Sequence, residues 1–397
     1  MRGTRLKRSA GGFNDLLFHG TAVKLRARPD RIRASCVADA CVSAIMSEGK
    51  LRTAILGLNE GGQLLLEAAG RVDCLQIEAV ADKDPNLVER IGGEHGCAAF
   101  DDYRQLVMQN DLDCLLVAEA MHSCEEYVRV AMKKKFNVLK LPPGARDFEE
   151  AAEFVRLSEE QDIRFAIANP RRFAESFRGL RKFLQEGRIE HVFLVNAFCN
   201  PGDQEPPGWQ DDPKLSGGGV LIHDCYHIID QIVTSFGMPE QVYSLGTNKA
   251  PDKQQRLYLT EDTAVVTMKF SGGCIGNLVA SRRAGTGSAE EFLRLYGRDR
   301  TLTVNDERCV LRDGVGLEIE AVQSDDDKLG DMTELLENFA GSIMFPETNE
   351  LCSSARENLE DMAVVESAYL SMRTGFPEEP GRILQMASPP VAESPGD

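Results

Sequence analysis

The chain has 397 residues, 42% hydrophobic and 27% charged, which suits a soluble protein of two domains and excludes collagen-like, low-complexity and disulfide-scaffold classes. Lys and Arg number 45 against 63 Asp and Glu, a formal net charge of −18 that repels nucleic acid and anionic membrane surfaces, so neither is an expected partner. No apolar run approaches the ~20 residues of a membrane-spanning helix, and eleven cysteines without a CxxC pair indicate reduced thiols in a cytoplasm rather than disulfides or a zinc ribbon.

Residues 1–50 are basic, with ten Lys and Arg against four Asp and Glu, which leaves −24 for the remainder. They contain no apolar run of the ~7 to 15 residues that a secretory leader requires. They read as an extension ahead of a natural start at Met46, with a disordered basic arm or an Arg-rich targeting peptide as alternatives.

From Leu51 the apolar run TAIL, the glycine cluster GLNEGG and the amphipathic QLLLEAAG read as strand, tight turn and helix. The strand LQIEAVA follows and runs into Asp82, 25 positions after Gly57. DDYRQLVMQ, the strand DCLLVAE, the helix CEEYVRVAMKKK, the strand NVLKL, a PPG turn, the helix FEEAAEFVRLSEEQ and the strand RFAIA continue the alternation. It predicts a parallel sheet covered by helices, of the size of a dinucleotide-binding domain, over 51–170. In a GxGxxG turn, backbone N–H groups approach a pyrophosphate at a helix N-terminus. Gly57 and Gly62 fill the first and third places with Gly61 beside them, while Asn59 in the middle tolerates a left-handed backbone but adds a side chain. Asp82 is spaced to accept from an adenosine ribose 2′-hydroxyl, which favours NAD, and Lys83 suits a 2′-phosphate, so the expected cofactor is NAD or NADP. A tight turn and a helix cap with no ligand are the alternative for these residues.

After Arg172 longer strands take over: HVFLVNAFCN, EQVYSLGTNK, TAVVTMKF, CIGNLVASRR, FLRLYG, TLTVND and CVLRD, with a hairpin turn at Ser271–Gly273. GGGVLIHDCYHIIDQIVTSFG reads as one helix carrying His223, His227 and Asp230 at i, i+4 and i+7 of one face. Two terminal helical segments close the second domain, 171–380, and 381–397, rich in Pro, Glu and Ser, reads as a solvated tail. The histidine face also suits a metal with Asp224 or Asp230, but the other histidines, His19, His95, His122 and His191, have no partner spacing, so no metal is expected. No GxSxG elbow occurs, and Cys225 neighbours His227 only along the helix, which sets a nucleophilic hydrolase aside.

WQDDPKLSGGGVLIHDCYHIID from Trp209 to Asp230, NPRRF at Asn169–Phe173, LYGRDRTL at Leu295–Leu302 and the late VVESAYLSMRTG occur in a distinctive order and spacing. In these segments the chain resembles the glucose-fructose oxidoreductase and inositol dehydrogenase family (Gfo/Idh/MocA), over about Leu51 to Pro380. The resemblance implies an α/β fold: an N-terminal Rossmann domain and a C-terminal α/β domain with a large, mostly antiparallel open sheet. It implies assembly through that sheet into a homo-oligomer, a dimer or tetramer. It also implies NAD(P)-dependent hydride transfer at a hydroxyl-bearing carbon of a sugar, cyclitol or related polyol.

Carried over residue by residue, the resemblance also implies departures. Pro142 stands at the lysine of the family's EKP turn, between Leu141 and Pro143, and Lys140 lies two positions earlier. His227 and Asp230 match the helix His and Asp, whereas His223 replaces the other helix Asp with Asp224 one place on. Glu119, Ala120 and Met121 replace a TPN turn, Cys124 replaces a His, and Gln210 stands where Arg is frequent. The expected acid/base is His227 or His223, with Lys140 as an alternative, and Trp209, Asp224 and Arg172 are expected to contact substrate. Two readings follow: an oxidoreductase with a relocated acid/base, or a catalytically inactive dinucleotide-binding protein acting as sensor or assembly partner.

Overall fold

The computed structural model describes residues 49–202, 206–248, 260–282, 288–325 and 327–387. Most of the basic segment, the expected start at Met46 and the last ten residues lie outside the described residues.

The first unit runs β1 (Leu51–Leu56), α1 (Glu60–Ala69), β2 (Leu75–Ala81), α2 (Pro85–His95), β3 (Ala98–Phe100), α3 (Tyr103–Gln109), β4 (Cys114–Val117), α4 (Met121–Lys133), β5 (Asn137–Lys140), α5 (Phe148–Gln161) and β6 (Phe165–Ile167). Its six strands lie in the order β3-β2-β1-β4-β5-β6, all parallel. β4 is buried along its whole length because helices cover both faces, which is why it reads as an unbroken apolar run. Helix α2 and the short β3 are announced by caps rather than by apolar periodicity: Asp84 accepts from the N–H groups of Asn86 and Leu87, Pro85 opens the helix, and Gly96 at φ +65° ends it. The strand order reverses between β1 and β4, so a crevice opens at the C-terminal ends of these strands.

The second unit comprises α6 (Glu175–Gln185), β7 (Leu194–Asn200), α7 (Pro213–Ser216), α8 (Val220–His223), α9 (Tyr226–Phe236), β8 (Gln241–Thr247), β9 (Thr263–Lys269), β10 (Ile275–Ser281), β11 (Glu290–Tyr296), β12 (Arg300–Val304), β13 (Arg308–Asp313) and β14 (Glu318–Gln323). Eight strands lie in the order β14-β13-β12-β11-β7-β10-β9-β8, antiparallel except for β7 with β10. Burial alternates strictly along β9, so one face of the sheet meets the core and the other stays open, exposing Tyr243, Leu245, Val265 and Ile275.

The chain then returns to the first sheet. Met332, Leu335, Leu336 and Phe339 of α10 (Lys328–Met344) share a core with Ile55, Leu65 and Leu66, and α11 (Ala355–Thr374) packs against α5. The expected boundary at 170 therefore divides the sheets but not the helices that cover them. Part of the expected tail is also ordered: Pro380–Met386 form α12, with Ile383 buried. Among the described residues no helix is long and apolar enough to cross a membrane, and the nine described cysteines are free thiols.

Candidate functional site

The glycine turn joins β1 to α1 under tight steric demands. Gly57 adopts φ +90°, and a Cβ there would lie 2.8 Å from the Glu119 nitrogen; a Cβ at Gly62 would lie 2.0 Å from the Gly57 oxygen. Asn59 does not use the left-handed backbone its residue type allows; it is extended, at φ −60° and ψ 179°. Its side chain caps α1 instead, accepting from the Gly62 N–H at 3.0 Å and donating to the Ala118 carbonyl at 2.9 Å. At the end of β2, Asp82 accepts from the N–H groups of Leu58 (2.7 Å) and Asp84 (3.0 Å). The Lys83 ammonium sits 5.5 Å from the centroid of the Tyr103 ring. A cradle that only glycine fits, beside a carboxylate fixed at the end of β2, suits the ribose and pyrophosphate of a dinucleotide.

A cleft of about 550 Å³ runs from Asn59 and Asp82 past Glu119 and Lys140 to Trp209 and His223. Lys140, the last residue of β5, is buried, and its Nζ donates to the Leu141 carbonyl at 2.8 Å. Burial pushes its ammonium below the ordinary lysine range, opposed in part by Cys124 and Glu119. Burial would raise the Glu119 carboxyl, but donors from Tyr103 (2.7 Å) and the Ala120 N–H (2.9 Å) outweigh it and hold the pKa below the usual value. At the far end Trp209 packs between two imidazoles, 4.7 Å from His122 and 5.4 Å from His223 between ring centroids. The His122 Nδ1 is buried with no partner among the described residues. The His223 Nε2 lies 3.0 Å from the Ser216 carbonyl, which can only accept, so this nitrogen carries the proton. Burial and the nearby Arg282 push its pKa down to about 4.

The run from Gly217 to Gly219 brings these groups together because side chains have no room there. A Cβ on each glycine in turn would fall within about 2 Å of the Arg146 oxygen, the Tyr369 hydroxyl and the Glu261 oxygen. The expected single helix then breaks. The N–H groups of Asp224 and Cys225 both reach the Val220 carbonyl, at 3.0 Å each, which ends α8, and α9 starts afresh at Tyr226. Contacts from the sheet hold the break: Arg282 donates to Asp224 at 2.6 Å and to Gln210 at 2.8 Å, and the Cys199 thiol lies 3.6 Å from the Asp224 carbonyl.

As a result His223 and His227 do not share a face, and the metal geometry that i, i+4 spacing suggests does not arise. His227 lines a second cleft, of about 300 Å³, with Leu141, Asn169, Arg171 and Gln231; Pro142 borders both clefts. The His227 Nε2 lies 2.6 Å from Glu291 Oε2, and the other Glu291 oxygen accepts from Arg171, which also pairs with Asp306 at 2.7 Å. Asp230 faces away from this site. It is fully buried against Arg172, whose Nε donates to it at 3.1 Å while Nη1 donates to Glu357 at 3.0 Å. Arg172 borders neither cleft, which corrects its expected place against substrate: it pins α9 to α11.

Glu119, Arg282 and Glu291 are the polar partners that the sequence reading assigns no role. Glu119 had a local signal, since it follows β4 at the strand-order reversal. Arg282 and Glu291 had none, because they meet Asp224 and His227 across 58 and 64 positions of chain.

A parallel sheet with a glycine-turn cradle, joined to a second unit with a mostly antiparallel sheet whose loop and short helices from Pro207 to Asp224 supply the second wall of a cleft, defines an NAD-binding oxidoreductase architecture. Comparison with known proteins agrees. Residues 51–169 match the oxidoreductase family with NAD-binding Rossmann fold, and residues 177–303 match the GFO/IDH/MocA C-terminal domain; the chain belongs to the Gfo/Idh/MocA family. An uncharacterized oxidoreductase of Bacillus subtilis, YrbE, is 22% identical over 254 residues, 64% of this chain and 70% of its own. A myo-inositol 2-dehydrogenase of Thermotoga maritima is 24% identical over 261 residues, 64% of this chain and 72% of its own. Among solved structures, a levoglucosan dehydrogenase in complex with NADH and L-sorbose shares the fold at TM-score 0.74 and 14% identity, over 84% of this chain and 100% of that one. An Agrobacterium radiobacter oxidoreductase in complex with NAD+, L-tartaric acid and magnesium does so at TM-score 0.70 and 19% identity, over the same shares.

Proposed function

We propose that the protein is an NAD-dependent oxidoreductase that moves a hydride between nicotinamide and a hydroxyl-bearing carbon of a neutral sugar, cyclitol or related polyol. The observation that carries this reading is the continuous cleft from Asp82 to Trp209 and His223, with His227 beside it across Pro142. Gly57, Gly61, Gly62 and Asp82 would hold the dinucleotide, which supplies the hydride-exchanging carbon when bound. Backbone donors fix both oxygens of Asp82, so its charge opposes a 2′-phosphate, which supports NAD over NADP.

At the substrate end, the alcohol proton must leave as the carbon gives up its hydride. We assign this step to His227, which lines the adjoining cleft across Pro142. His223 stays neutral with its Nε2 proton on Ser216, so it orients rather than titrates; Lys140 is buried against the Leu141 carbonyl. The arginines nearby are engaged, Arg282 by Asp224 and Arg146 by Glu150, which supports a neutral polyol over an anion. Trp209 and Asp224, both on the cleft wall, complete the proposed substrate contacts. The open face of β8 to β10, with Leu245 and Ile275 at 60% and 51% exposure, supports a homo-oligomer built on that sheet.

The test is incubation of the purified chain with NAD+ and a broad panel of neutral sugars and cyclitols, read as NADH absorbance. Cofactor binding without NADH from any of them would favour the inactive, dinucleotide-binding reading, which Pro142 in place of the family's lysine supports.

A further inference from the structure

We propose that Glu291 is the positioning residue of His227, keeping the ring proton on Nε2 and leaving Nδ1 as the lone-pair nitrogen for proton transfer. The inference rests on the reading of His227 as the acid/base. His227 stands in the first turn of α9 and Glu291 at the start of β11, so helix and sheet must be docked for the pair to form. Its 2.6 Å separation is that of a charge-assisted hydrogen bond.

Glu291 is itself oriented. Arg171 donates to its Oε1, and Asp306 holds Arg171 from the turn between β12 and β13. Burial acts to raise the Glu291 carboxyl, yet His227 and Arg171 together hold it down to about 2, so it stays ionised. An ionised carboxylate only accepts. The nitrogen facing it must therefore carry a proton, and whenever the ring gives up its other proton the lone pair lies on the nitrogen facing away from Glu291. A carboxylate that fixes the tautomer of an imidazole at a reacting centre is an arrangement recurring on unrelated folds. The other groups that face the pair are Cys199 on β7, 4.0 Å from Glu291 Oε2, and Asp224 and Cys225 at the helix break.

The experiment is nitrogen NMR of the full-length protein labelled at histidine, with His227 assigned through His227→Gln, in wild type and Glu291→Gln. The glutamine amide both donates and accepts, so it no longer dictates a tautomer. Wild type is expected to show the Nε2–H form alone, and Glu291→Gln a mixture. With a polyol that wild type oxidises, kcat of Glu291→Gln should fall roughly 10²-fold while NAD+ affinity stays within about twofold, and Glu291→Asp should recover part of the loss. A wild-type His227 with its proton on Nδ1, or an unchanged tautomer in Glu291→Gln, overturns the proposal; the wild-type spectrum alone can do so if the variant fails to fold. Failure of wild type to oxidise any polyol would instead sink the reading of the reaction, leaving the tautomer result standing.

Discussion

Asn59 ties the glycine turn to the adjoining strand: its amide donates to the Ala118 carbonyl at 2.9 Å while its oxygen caps Gly62. The side chain that makes the dinucleotide fingerprint look degenerate in sequence is thus occupied by the fold. Asn59→Ala should cost about 1 to 2 kcal/mol of stability through loss of the cap, read from urea unfolding. An unchanged midpoint would show that neither bond contributes.

Asp82 should set cofactor preference. Asp82→Ala should weaken NADH binding by about tenfold or more in titration calorimetry, the scale of one charge-assisted hydrogen bond, and narrow the gap between NADH and NADPH. Equal loss for both cofactors would point to collapse of the turn that Asp82 supports through Leu58.

Arg172 should behave as a structural residue. Arg172→Ala leaves Asp230 buried and uncompensated, so a loss of about 3 to 5 kcal/mol is expected. Urea unfolding measures this, and a stable variant with altered substrate KM would restore the role expected from sequence.

Much of the fold is legible in sequence because local physics determines it. The unbroken apolar run at β4, the alternation along β9 and the glycine turn each report their surroundings directly. The site is less legible. No Gly or Pro marks the break at Asp224 and Cys225, because Arg282 and Cys199, distant in sequence, hold it. Helical periodicity therefore placed His223 and His227 on one face when tertiary contacts send them to different clefts. Glu291 was invisible for the same reason, as one acidic residue on a strand whose partner is a helix 64 positions earlier.

Stability should depend on pH through Glu261. This buried carboxylate accepts from the N–H groups of Gly219 (3.0 Å) and Leu221 (2.9 Å) and from the Tyr369 hydroxyl (3.2 Å), yet burial outweighs these donors and raises its pKa to about 7 from 4.5. The folded state therefore holds the proton more tightly. Its stabilising effect is complete below 4.5 and is lost as pH rises through about 7. Glu261→Gln, which mimics the protonated form, should gain in Tm relative to wild type across that interval. His223 acts in the opposite sense in both proteins, since its depressed pKa costs stability as pH falls from 6.5 towards about 4. A Tm difference independent of pH would contradict the Glu261 account.

The central claim, that a dinucleotide in the glycine cradle exchanges hydride with a polyol under the control of His227, is tested most directly by single-turnover formation of NADH. Wild type and His227→Gln, each saturated with NAD+, would be mixed with the best polyol of the panel and followed by absorbance. The account predicts NADH from wild type and a rate lower by about 10² to 10⁴-fold in the variant, at unchanged NAD+ affinity. Equal rates, or NAD+ binding with no NADH from either protein, would contradict it.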